Sequence, residues 1–142
     1  MSACPPKKTQ ALKVILDSNA LFVSLELKID VFEEVRRLLC RNVEFILLST
    51  VKRELEMLAT KESTKIRREA NFALKLAEKC KYVPVSNDEG LSTDDAIVEV
   101  AKNWKAPVFT NDRVLRGKLR DISVPVIYVR QKSRLDVDGL IS

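Results

Sequence analysis

Lys13-Val14-Ile15-Leu16-Asp17-Ser18-Asn19-Ala20-Leu21 decides how the chain is read. Val14, Ile15 and Leu16 in succession suit a short strand covered on both faces. Asp17 ends the run, and Ser18 and Asn19 favour turns and helix starts. The stretch predicts a buried strand over about 13–17 with a carboxylate at its C-terminal end. In open α/β sheets, ligands bind at that end. A single carboxylate there is either a helix cap or part of a site. The choice depends on what else the chain brings to the same edge.

Working outward, the first clear helical pattern runs from Ile29 to Arg41, with Asp30 as its N-cap. Val31, Phe32, Val35, Leu38 and Leu39 recur on one face. Phe45-Ile46-Leu47-Leu48 reads as a second buried strand, after which Ser49-Thr50 opens a helix with apolar face Val51, Leu55 and Leu58. Ser63 or Thr64 starts a longer helix to about Lys79, with Ile66, Ala70, Ala73, Leu74 and Ala77 as its stripe. Tyr82 to Val85 is extended, and residues 86–93 have loop composition. Ser92-Thr93-Asp94-Asp95 opens a helix whose buried face is Ile97, Val100, Ala101 and Trp104. Ala106 to Thr110 is a strand with Pro107 at its start, where a missing N–H is tolerated. Asn111-Asp112 caps a helix through about Arg120, and Pro125 to Val129 is a last strand.

Strands alternating with helices predict βαβ units. The expected fold is a single three-layer α/β/α domain with a central, mainly parallel sheet, Rossmann-like in outline. Residues 1–12, with Pro5-Pro6-Lys7-Lys8, read as a flexible N-terminal arm. Residues 13–142 form the domain, and the tail after about 130 has no clear pattern.

Composition narrows the chemistry. The 142 residues suit one domain, and no apolar run approaches the ~20 needed to span a bilayer. The N-terminus lacks an apolar signal-like segment, so the expected location is cytoplasmic. Histidine is absent, which removes the usual Ser/His/Asp and Cys/His catalysis and any His-ligated metal. Cys4, Cys40 and Cys80 are widely spaced without CxxC, arguing against a zinc site or a disulfide framework; Cys40 and Cys80 read as small core residues. Neither GxGxxG nor GxxxxGK[ST] occurs. A net charge of +5 is compatible with a polyanionic partner.

The acids recur at equivalent places. Asp17 and Asp112 follow strands, Asp94 and Asp95 open a helix, and Glu54 lies about one turn into another. A parallel sheet gathers all these points on one edge. Singly, Asp94, Asp95 and Asp112 are good helix caps. Together, clustered carboxylates repel one another and call for a cation. An all-oxygen set suits Mg²⁺ or Mn²⁺, and a phosphodiester is the natural substrate beside a basic surface.

On these residues the chain resembles the PIN-domain nucleases. Asp17 in Leu-Asp-Ser-Asn-Ala-Leu, Glu54 in Ser-Thr-Val-Lys-Arg-Glu-Leu, Asp94 in Asp-Asp-Ala-Ile-Val-Glu-Val-Ala and Asp112 in Phe-Thr-Asn-Asp-Arg-Val-Leu-Arg match the family's four acids in order. The segments Thr110 to Arg116 and Pro125 to Arg130 resemble the branch related to small-subunit ribosomal-RNA processing factors, which includes archaeal proteins. The VapC-like toxin branch shares the acids.

The resemblance implies a metal-dependent endoribonuclease. Asp17, Glu54, Asp94 and Asp112 are then the catalytic acids, and with Asp95 the ligands of Mg²⁺ or Mn²⁺. Ser18, Asn19, Thr110 and Asn111 are supporting residues. The implied partners are RNA, including an rRNA precursor, a second copy of the chain, and a ribosome-assembly or antitoxin protein. A catalytically silent RNA-binding or ribosome-assembly scaffold and a VapC-like toxin ribonuclease are the alternatives. The residues themselves add a basic edge beginning one residue after Asp112: Arg113, Arg116, Lys118, Arg120 and Arg130 are candidate RNA contacts. Few aromatic residues look exposed, so little intrinsic sequence specificity is expected.

Overall fold

The structure is a computed structural model that describes residues 11–86, 90–131 and 134–141. The N-terminal arm expected over 1–12 lies almost wholly outside the described residues. In chain order, β1 spans Leu12–Leu16, α1 Ser18–Leu27, α2 Val31–Leu39, β2 Val43–Leu48, α3 Ser49–Leu58 and α4 Thr64–Ala77. They are followed by β3 Lys81–Val83, α5 Thr93–Trp104, β4 Val108–Phe109, α6 Arg113–Asp121, β5 Val126–Arg130 and β6 Arg134–Asp138.

The strands form one sheet in the order β3-β2-β1-β4-β5-β6. All neighbours are parallel except β5 and β6. The expected three-layer, mainly parallel α/β architecture is therefore present. The order runs outward from β1 through β2 to β3, then returns to β4 on the other side of β1. The carboxyl ends of β1 and β4 thus flank the topological switch point, the usual ligand crevice of such sheets.

The sheet centre is the core. Val14, Ile15 and Leu16 are fully buried, as are Ile46, Leu48, Val108, Phe109, Val126 and Ile127. Pro107 precedes β4, and its carbonyl accepts from the Ile15 amide at 3.0 Å. The expected helix caps form: Asp30 accepts from the Phe32 and Glu33 amides, Ser63 from Ile66, Ser92 from Asp95, and Asp112 from Val114 and Leu115.

Several local expectations are corrected. α1 was not expected as a helix, because Ala20, Leu21, Val23 and Ser24 are buried and the segment has no polar face to give the 3.6-residue period. β3 is Lys81–Val83 rather than Tyr82–Val85, because Pro84 cannot donate to the ladder. The tail forms the antiparallel edge strand β6. Ile66 and Trp104, expected inside, are 40% and 39% exposed, and the Lys13 ammonium lies 4.9 Å from the centre of the Trp104 ring. Cys80 is a free, half-buried thiol whose pKa burial pushes up to about 12, so it is unreactive at neutral pH. Cys40, expected as a small core residue, is disulfide-bonded. Among the described residues, no helix is long and apolar enough to cross a membrane.

Candidate active site

β1 ends at Leu16, and the Asp17 amide donates to the Phe109 carbonyl at 3.1 Å, extending the pairing of β1 with β4 by one step. That step sets Asp17 beside Thr110. Asp17 is 4% exposed and Thr110 is fully buried. The Thr110 hydroxyl donates to Asp17 Oδ2 at 2.7 Å, and Asn19 Nδ2 donates to the same oxygen at 3.0 Å. The Ser18 amide donates to Oδ1 at 2.8 Å, so Asp17 caps α1 as well. A carboxylate has about four acceptor positions, and these bonds leave at least one open.

The neighbouring polar residues lock this arrangement. Asn19 Oδ1 accepts from the Asn111 amide at 2.9 Å, and Asn111 Oδ1 accepts from the Val129 amide of β5 at 2.8 Å. The Asp112 amide donates to Thr110 Oγ1 at 3.1 Å. Ser18 Oγ donates to Glu54 Oε1 at 2.7 Å, joining α3 to the end of β1. The four residues expected to support the acids, Ser18, Asn19, Thr110 and Asn111, thus form one connected brace.

The acids also sense one another. Burial raises the Asp17 pKa above its ordinary value, against the lowering effect of the Thr110 and Ser18 hydrogen bonds, and the charges of Glu54 and Asp94 raise it further. Asp94 is raised by desolvation first and then by Asp112, with Lys118 opposing and Glu54 and Asp95 adding. Asp17, Glu54, Asp94 and Asp112 therefore share one electrostatic neighbourhood. Asp95 sits at the edge, in an ion pair with Lys118 at 3.8 Å.

A divalent cation fits this donor set in one particular manner. Among the described residues, no three or more His, Cys, Asp or Glu side chains are grouped so as to hold an ion by themselves. The donors are all oxygen, which excludes a soft-metal site. Magnesium usually keeps several waters and takes one or two carboxylates plus a substrate phosphate. The arrangement suits such a hydrated ion and does not suit one caged by protein alone. A further oxygen at the site escaped the sequence reading. Thr50, one turn before Glu54 on α3 and 5% exposed, has a buried hydroxyl without a hydrogen-bond partner among the described residues. Its spacing of four residues from Glu54 was the available signal.

The basic edge is mostly engaged within the fold. Asp138 pairs with Arg116 at 3.0 Å and Arg120 at 3.2 Å, and the Arg116 guanidinium stacks 3.8 Å from the Tyr128 ring centre. Arg130 pairs with Asp136 at 2.8 Å, and Lys118 with Asp95. Arg113, exposed in the first turn of α6, is in no ion pair among the described residues.

Comparison with known proteins agrees with this geometry. The family model described as a PIN like domain matches residues 14–132. Ribonuclease VapC4 of Methanocaldococcus jannaschii is 33% identical over 130 residues, covering 91% of this chain and 98% of that protein. Ribonuclease VapC9 of Archaeoglobus fulgidus is 32% identical over 126 residues, 89% of each. Among solved structures, the PIN domain endonuclease Utp24 superposes with a TM-score of 0.76 at 28% identity, covering 91% of this chain and 92% of that one.

Proposed function

The chain belongs to the PIN-like domain family, and from that premise we propose that it is a metal-dependent endoribonuclease that hydrolyses RNA phosphodiesters at the acid pocket around Asp17. The observation that carries the reading is the buried Asp17 carboxylate, triply hydrogen-bonded yet left among Glu54 and Asp94. Burying a carboxylate beside like charges is costly even when it is hydrogen-bonded, and such cost is concentrated at functional sites.

Asp17, Glu54, Asp94 and Asp112 would hold Mg²⁺ or Mn²⁺, directly or through water, with Asp95 at the margin. The ion, when bound, supplies an acidified water and neutralises charge developing on the phosphate. The chain's own residues supply position. Thr110 and Asn19 fix the plane of the Asp17 carboxylate through its Oδ2. Ser18 turns Glu54 toward the same centre. Asp112 is held by its capping bonds through Oδ1. Arg113 is available to grip a phosphate one residue beyond Asp112.

Two settings are supported. The C-terminal pattern that resembles small-subunit processing factors supports action on an rRNA precursor, and the likeness to the PIN domain endonuclease Utp24 supports endonucleolytic cleavage. The VapC relatives support equally a VapC-like ribonuclease paired with an antitoxin. Either setting is cytoplasmic if the source cell has no nucleus. Incubating a defined single-stranded RNA with Mg²⁺, Mn²⁺ or EDTA, with wild type and Asp17→Asn side by side, tests the reading. Cation-dependent cleavage by wild type alone supports it. Salt-sensitive RNA binding without cleavage under any cation supports the silent scaffold instead.

A further inference from the structure

A cavity of about 290 Å³ opens between α3 and the start of α5. Glu54 forms part of its wall, and Thr93, directly before Asp94, forms another part. The cavity therefore adjoins the acid pocket on the β2 side of β1, whereas the basic edge on α6 lies on the β4 side. An RNA strand that meets α6 and crosses the acids would next reach this cavity.

Its chemistry is mixed in an ordered manner. Met57 and Leu91 are 60% and 36% exposed and supply apolar walls. Arg53 and Lys61 line it too and are in no ion pair among the described residues. Thr50 also lines it, with the buried, unpartnered hydroxyl noted above. Helical threonine occupies two side-chain rotamers, so a turn about χ1 can present that hydroxyl to the cavity. The volume is at the low end of small-molecule sites, near 300 Å³.

We propose that this cavity is a nucleotide subsite that receives one unpaired RNA base beside the scissile phosphate, and so gives the enzyme a base preference. A flat ring lies between the Met57 thioether and Leu91, apolar contacts that any base face can use. The hydroxyls of Thr50 and Thr93 meet its polar edge. Arg53 and Lys61 take the adjoining phosphate. Aliphatic walls here do the work for which the sequence offered few aromatic rings. The proposal rests on the ribonuclease reading, and its test separates the two.

The full chain in EDTA is titrated with the four nucleoside 5′-monophosphates, and separately with inorganic phosphate, while its amide resonances are followed. The expected result is saturable shifts at Met57, Lys61, Leu91 and Thr93 that differ among the bases. In parallel, cuts in a randomised single-stranded RNA are mapped. Wild type should prefer one base beside the cut by about tenfold. Met57→Trp, which fills the cavity from an exposed position, should bring that preference near parity, and Thr50→Val should weaken it. Base-specific shifts without any cleavage would leave the subsite standing and overturn the ribonuclease reading. Cleavage with no base preference, or shifts matched by inorganic phosphate alone, would overturn the subsite and leave the ribonuclease reading intact.

Discussion

At the carboxyl edge around β1 and β4, Glu54 and Asp94 add to the cost of charge on Asp17, Asp112, Glu54 and Asp95 add to that on Asp94, and Lys118 is the cation that opposes it at Asp94. Along α6 and β5, Arg116, Arg120 and Arg130 are each matched by Asp138 or Asp136 of β6. Both regions are charged, the first expected to hold a metal ion and the second to contact RNA. One leaves its charge unmet, whereas the other neutralises it within the fold. On the proposed function, the difference separates a site for a cation from a surface that fastens β6 to the domain. Arg113, on the boundary between them, is exposed and in no ion pair among the described residues, and is the proposed phosphate contact.

The largest expected effect lies on the acid side. Asp112→Asn should lower RNA cleavage by about a hundredfold or more, as removal of a metal-site acid does. Asparagine caps helices about as well as aspartate, so α6 and the thermal midpoint should be preserved. A loss of activity accompanied by unfolding would break the comparison.

Thr110→Val comes next. It removes a buried hydroxyl that donates to Asp17 and accepts from the Asp112 amide, at nearly constant volume. A cost of about 1–3 kcal/mol in denaturant-measured stability is expected. Cleavage should fall by about 10- to 100-fold, as for other residues that orient metal-site ligands.

The pH dependence has opposite signs with and without the cation. The folded pKa values of Asp17 and Asp94 lie above their unfolded values. The folded state thus binds protons more readily at these groups, and their charge disfavours folding at neutral pH. In EDTA, their contribution to stability should improve as pH falls through the folded values toward the unfolded ones. Cleavage should decline over the same window, because protons compete with the cation. Stability curves for wild type and Asp94→Asn in EDTA check the sign: the variant should be at least as stable at neutral pH and gain less on acidification.

The smallest effects fall on the basic edge. Arg116→Ala should cost no more than about 1 kcal/mol, since its partly exposed pair with Asp138 is of the weak kind. Asp138→Asn should free Arg116 and Arg120 and strengthen RNA binding a few-fold. Arg113→Ala should leave stability unchanged and reduce the salt slope of RNA binding by about one. An Arg116 variant that weakens RNA binding more than the Arg113 variant would reverse the ranking.

Legibility from sequence followed the same division. The strand ends and caps were readable because Asp17, Asp30, Ser63, Ser92 and Asp112 act through local backbone geometry. A parallel sheet then supplies the convergence of the acids without further information. α1 was hidden because it is wrapped by other elements and has no polar face. β6 was hidden because Arg134-Leu135-Asp136-Val137-Asp138 alternates as an edge strand with too many charges to look like core. The pairing of Arg116 with Asp138, 22 residues away, depends on that unread strand. The Thr50 hydroxyl was hidden because its isolation is a property of the packed interior rather than of the α3 pattern.

Thermal unfolding of wild type and Asp17→Asn with and without Mn²⁺ tests most directly that the acid region holds unmet charge for a cation. At about a hundred times its dissociation constant, a bound ion adds about 2.7 kcal/mol to the folded state. Wild type should gain a Mn²⁺-dependent rise in its midpoint. Asp17→Asn, which turns one of two buried accepting oxygens into a donor facing Ser18, or Asn19 and Thr110, should start lower in EDTA and gain little from Mn²⁺. Equal rises in both proteins, or none in wild type, would contradict the account.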